Sequence, residues 1–158
     1  MTMKEKDWLT HAIQLASKSV TEYRGGPFGA IVVKDGVVIG EGFNQVTSDH
    51  DPTAHAEVVA IRNACQKLGT HQLDGCVIYA SCEPCPMCLG AIYWSRPDRV
   101  YFAASRHEAA DAGFDDAVIY EEIEKKPEQR TIPFHHIEMK EKKEPFQNWQ
   151  KHGERVEY

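Results

Sequence analysis

Three cysteines stand three residues apart in the stretch SCEPCPMCLG at 81–90: Cys82, Cys85 and Cys88. Two overlapping C-x-x-C pairs share the middle thiol. On a helix, residues three apart lie on one face, so Cys85 and Cys88 can address one ion from a helix's first turn. Cys82 falls at the end of the preceding strand, before Glu83-Pro84, and is less well placed. A helix N-terminus adds positive potential, which favours thiolates. The remaining ligand must come from elsewhere, and the upstream imidazoles nearby are His50, His55 and His71. His50 falls in a loop and His71 past a helix end, whereas His55 opens a helix with Glu57 two residues on. Two residues span about 200° of a helix, so these side chains share no lateral face. They serve one site only if it lies off the helix's N-terminal end, where the cysteine pair also sits.

His55, Cys85 and Cys88 are three protein ligands, which leave one tetrahedral position for water, the catalytic pattern; Cys82 as a fourth ligand would make the site structural and inert. Two thiolates cancel the charge of Zn²⁺, and a carboxylate beside the water compensates. Glu57 is the candidate. Cys82, Cys65 and Cys76 read as small buried residues.

The elements that must position these groups follow from periodicity. Trp8 or Leu9, Ala12, Ile13, Ala16 and Val20 recur at helical spacing and predict a helix over 4–20. AIVVK and VVIGEG flank Asp35-Gly36, a hairpin signal of the type I′ kind. Asp51-Pro52 reads as an N-cap and first helical residue for the helix that Gly69 ends. CVIYAS reads as a buried strand, CEPCPMCLGAIYWS as a helix with Pro84 or Pro86 in its first turn, and RVYFAAS as a fourth strand. AVIYEEI is a short helix, FHHIEM a fifth strand, and EPFQNWQKHG a last helix. His135-His136 reads as strand or surface. The order implies an α/β fold, a three-layer α-β-α sandwich around a mixed five-stranded sheet.

At 158 residues the chain has the size of one domain. MTMKEKDWL carries charges with no apolar run behind them, which argues against a signal peptide or membrane span and for a reducing, cytoplasmic setting. The net charge of −6 argues against a nucleic-acid partner. The sign-alternating C-terminal half reads as solvated surface.

His55-Ala56-Glu57 followed, after about 25 residues, by Pro84-Cys85-Pro86-Met87-Cys88 is the signature of zinc-dependent deaminases. Over nearly its whole length the chain resembles the cytidine-deaminase-fold proteins, and within them the small bacterial guanine deaminases. The signature is shared by cytosine, tRNA-adenosine and guanine deaminases, and DPTAHAE occurs in the tRNA-editing branch too. GGPFGA at 25–30, AGFDD at 112–116 and the ending EY resemble the guanine branch. The Gly-Ala-rich segment typical of tRNA editors after the fourth strand is not seen.

The resemblance implies one Zn²⁺ per subunit on His55, Cys85 and Cys88, and hydrolysis of guanine to xanthine and ammonia, with Glu57 carrying the proton. Guanine presents N1–H and an exocyclic amine, both donors, so a buried carboxylate suits it and repels adenine, whose N1 is an acceptor. Asp115 or Asp116 can be that group, and the resemblance points to Asp116, a catalytic residue beside Glu57. It further implies that Asn44 hydrogen-bonds the purine, that Phe28 and Trp94 flank it, and that Tyr158 closes the pocket. It makes 1–158 a single deaminase domain whose segment 141–158 is exchanged within a homodimer. The alternatives are a tRNA-adenosine deaminase or another base or nucleoside deaminase, such as one acting on cytosine. Without the resemblance, Asp115 and Asp116 read as N-caps, Phe28 and Trp94 as core aromatics, Asn44 as a turn residue and Tyr158 as a frayed end.

Overall fold

The structure, a computed structural model, describes residues 3–158. The chain forms two compact units, the first ending at Asp116 and the second Ala117–Tyr158.

The first unit opens with helix α1, Met3–Thr21, followed by strands β1, Gly29–Lys34, and β2, Val37–Phe43. Asp35 and Gly36 both have positive φ, as the tight hairpin turn requires. Strand β3 is Cys76–Cys82 and strand β4 is Arg99–Ala104. The sheet runs β2-β1-β3-β4, with β1 antiparallel to both neighbours and β3 parallel to β4. Side chains alternate across it. Ala30, Val32, Ile78 and Ala80 face helix α3, Ala56–Leu68, and helix α4, Pro86–Ser95. Ile31, Val33 and Tyr79 pack with Leu9 of α1 on the other face. Helix, sheet and helix therefore form the three expected layers. Ile13 and Val20 of α1 stay half exposed and line an open apolar cavity of about 620 Å³, together with Phe28, Ala104 and Phe114.

Close packing fixes where α3 begins. A Cβ at Gly42 would overlap the carbonyl oxygen of Ala56 and lie 2.6 Å from the Ala60 amide nitrogen. The glycine thus lets the first turn of α3 ride directly on β2. Gly69, in the left-handed region at φ 66°, ends the helix as expected.

Three expectations are corrected. Asp51 does not cap α3: its carboxylate accepts hydrogen bonds from the Thr53 amide at 2.8 Å and the Thr53 hydroxyl at 2.7 Å. This local turn consumes the side chain, and His55 itself becomes the N-cap, behind a short helix α2, Val46–Asp49. A further helix, α5, Arg106–Asp111, follows β4, closed by a capping box between Ser105 and Glu108. Among the described residues the sheet has four strands, not five. The run FHHIEM has no ladder, although Met139 is extended at φ −126° and ψ 139°. Backbone of strand geometry becomes a strand only when an edge pairs with it, and here Ile132, Phe134, Ile137 and Met139 remain exposed.

The second unit holds helix α6, Ala117–Glu124, and helix α7, Glu144–Lys151. The Glu122 carboxylate accepts from the Thr131 amide at 2.7 Å and from Lys125 Nζ at 2.6 Å, folding the chain back after α6.

Candidate active site and metal centre

Two helix N-termini converge on one point. His55 is the N-cap of α3, and Cys85 is the N-cap of α4 with Pro86 at its first position and Cys88 one turn on. Both N-cap residues have extended backbone, at φ −71°, ψ 151° and φ −66°, ψ 170°, which turns their side chains off the helix ends. His55 Nδ1 lies 3.5 Å from Cys85 Sγ and 3.6 Å from Cys88 Sγ, and the three ligand atoms lie within 4.8 Å of one another. A tetrahedral zinc with Zn–S bonds of ~2.3 Å and Zn–N bonds of ~2.05 Å requires an N···S edge of about 3.5 Å. The donor set and its spacing both fit the ion.

Electrostatics single out the same residues. A hydrogen bond from the Cys88 thiol, with one to His55, pulls Cys85 down to about 4 against the cost of burial. Cys88, hydrogen-bonded to Cys85 and buried, is pushed upward, and His55 is raised chiefly by its hydrogen bond with Cys85. Cys82 is different. Burial pushes it up to about 11, and its Sγ turns to the Ser105 carbonyl at 3.7 Å. Cys82 stands outside the group of three.

Glu57 is buried at 6 % exposure, with Oε2 3.4 Å from Cys88 Sγ. Burial raises its pKa, a direction that suits a carboxyl group to proton transfer. Asp116 is half buried, and burial foremost, then the Cys85 charge, raise it too. Asp115 is exposed.

Asn44 and Phe28 sit side by side where β2 ends and β1 begins: the Asn44 amide donates to the Phe28 carbonyl at 3.0 Å. The Phe28 ring meets Phe114 edge-on, with centroids 5.0 Å apart. Phe114 was not foreseen, although its place directly before Asp115-Asp116 in AGFDD was a signal. Trp94 lies on α4 at 63 % exposure. Tyr158 belongs to the second unit, where its ring faces Trp149 at 6.5 Å. The apolar cavity touches Cys82 and Phe28 but neither Glu57 nor the three candidate ligands.

Residues 2–104 match the family described as the cytidine and deoxycytidylate deaminase zinc-binding region. The chain belongs to that family. Its zinc-binding region spans both convergent helix ends, and the chain is a zinc protein in which His55, Cys85 and Cys88 can hold one ion. Among members of the family, it is 55 % identical to the guanine deaminase of Bacillus subtilis, over 99 % of this chain and 100 % of that one. The crystal structure of guanine deaminase from Bacillus subtilis superimposes with a TM-score of 0.96 at 54 % identity, covering 100 % of this chain and 99 % of the other. The tRNA-specific adenosine deaminase of Haemophilus influenzae is 39 % identical over 71 % of this chain and 68 % of its own length.

Proposed function

We propose that this chain deaminates guanine hydrolytically, consuming water and releasing xanthine and ammonia, as part of purine breakdown and salvage. The observation that carries this reading is the end-to-end likeness to the Bacillus subtilis enzyme, which extends past the zinc-binding region through AGFDD to the C-terminus.

His55, Cys85 and Cys88 are assigned as the zinc ligands. Zinc held there supplies Lewis acidity that makes a water nucleophilic near neutral pH. Glu57, with its pKa raised by burial, takes a proton from the water and delivers it to the ring nitrogen beside C2. As that proton moves, the water oxygen bonds to C2; Glu57 then passes the second water proton to the exocyclic amine, whose bond to C2 breaks as the C2 carbonyl forms and ammonia departs. Asp116 accepts hydrogen bonds from the donors on the guanine edge, and Asn44 donates to an acceptor on the ring. Asp115 is the neighbouring candidate for the same edge. Phe28 and Trp94 flank the base, and Tyr158 closes over it.

The whole chain, 1–158, acts as one cytoplasmic deaminase domain within a homodimer, with 141–158 exchanged between subunits. Exposed Phe146, Trp149 and Val156 on the second unit support a partner surface, and no helix among the described residues is long and apolar enough to cross a membrane.

A panel of guanine, guanosine, cytosine, adenine and tRNA, with ammonia as the readout, tests the reading. Ammonia is expected from guanine first. Silence on guanine with inosine formed in tRNA would replace it with the editing function. Light scattering reports the dimer.

A further inference from the structure

Helix α1 ends at Thr21; two residues on, Tyr23 is left-handed at φ 54°, and the Arg24 amide donates back to the Ser19 carbonyl at 2.9 Å. Ser19 is wholly buried, which is unusual for a serine on a surface helix. Its hydroxyl donates to the backbone carbonyl of Asn44, 25 residues away, at 2.8 Å. Asn44 is gripped a second time through its side chain. Its Oδ1 accepts from the Gly26 amide at 3.1 Å and from the Val46 amide at 3.1 Å. Two N–H donors converging on one amide atom settle which atom is oxygen, because a side-chain nitrogen accepts nothing. Nδ2 is therefore the end left to meet a ligand.

Gly25 completes the clamp. A Cβ there would overlap Asn44 Oδ1 and stand 2.6 Å from the Asn44 carbonyl oxygen. A side chain end can swing aside, but a backbone carbonyl held by Ser19 cannot.

We propose that Ser19 and Gly25 are positioning residues for Asn44, holding its amide so that it meets the base with donors alone and selects a purine edge bearing an acceptor. This rests on the guanine reading for the identity of that base and for the contact of Asn44 with it. Ser19 fixes the backbone end of the amide and Gly26 and Val46 fix its oxygen. Gly25 leaves the space in which both are possible.

The test is a double-mutant cycle with guanine, accompanied by NMR of the Asn44 side-chain amide, whose signal is identified by its loss in Asn44→Ala. Ser19→Ala is expected to raise KM about tenfold, the range of one lost neutral hydrogen bond, with kcat within about twofold. In the Asn44→Ala background the same change is expected to raise KM by less than about twofold, because nothing remains to be positioned. Gly25→Ala is expected to lose more than Ser19→Ala; if it does not fold, Ser19→Ala carries the test. A full tenfold effect in the Asn44→Ala background, or a loss confined to kcat, overturns the proposal and leaves guanine as the substrate. If the unmodified enzyme ignores guanine, the functional reading falls and the NMR decides the positioning alone. A shifted or broadened Asn44 amide in Ser19→Ala supports it, and an unmoved signal overturns it.

Discussion

Glu57 and Cys88 meet between two helix N-termini, the carboxylate Oε2 3.4 Å from the sulfur and both side chains buried. The acid thus touches a candidate metal ligand while standing outside the group of three ligand atoms. That separation allows one group to move protons while the others hold the ion.

Glu57→Gln keeps the shape and removes the carboxyl group proposed to carry the proton. Turnover is expected to fall about 10³-fold, within the range of a lost general acid-base group. Zinc content is expected to stay at one per chain, because the amide replaces no ligand. Elemental analysis beside steady-state kinetics checks both halves, and retained turnover would refute the role.

Cys82 gives the complementary case. Its sulfur faces the Ser105 carbonyl and its thiol is held protonated by burial. Cys82→Ala is expected to leave zinc stoichiometry intact and to destabilise the fold by about 1 kcal/mol, an ordinary core truncation. Cys85→Ser and Cys88→Ser are each expected to release the ion. Zinc lost from Cys82→Ala would support the four-ligand alternative.

The metal centre was legible because helix geometry and ligand chemistry constrain the same few positions: His55, Glu57, Cys85 and Cys88 had to converge from helix starts. The hairpin at Asp35-Gly36 was legible for the same reason, since its turn has few chemical solutions. Other features depend on partners that local patterns do not record. Asp51 carries every mark of a cap, yet Thr53 takes its carboxylate first. FHHIEM has strand composition but pairs with no strand among the described residues. Ser105 and Glu108 did spell a capping box, but α5 is too short to show an apolar period. Ser19 looked like any polar helix residue, because its partner Asn44 is distant in sequence.

The Ser105–Glu108 box fixes the start of α5, and with it the approach to Asp116. Backbone and side-chain hydrogen bonds from Ser105 hold the Glu108 carboxyl below the ordinary glutamate value of 4.5. A depressed folded-state pKa stabilises above the unfolded value, and that stabilisation is lost as pH falls through the folded one. Compared by denaturant unfolding, the native chain is expected to exceed Glu108→Gln in stability at pH 7, with the gap closing as the pH is lowered below 4.5. Zinc release at low pH affects both proteins alike, so the difference isolates the cap. A gap that persists unchanged into acid would show that Glu108 acts through packing rather than charge.

Asp116 offers the sharpest test of base choice. Guanine brings donors at N1 and at its amine, and a carboxylate brings only acceptors. Asp116→Asn keeps the volume but can turn a donor toward N1–H, so two hydrogens oppose each other where a hydrogen bond stood. The expected loss in kcat/KM for guanine is about 100-fold, since a buried mismatch forfeits a hydrogen bond and strands a polar group. In 2-aminopurine the amine remains but N1 is an acceptor. Against that base the asparagine regains a partner, so its loss is expected to be several-fold smaller and the preference between the two bases to narrow. Zinc content serves as the control for an intact centre. Equal losses on both bases would mean that Asp116 acts on the departing amine or on the fold, and the carboxylate that reads the guanine edge would then have to be sought at Asp115.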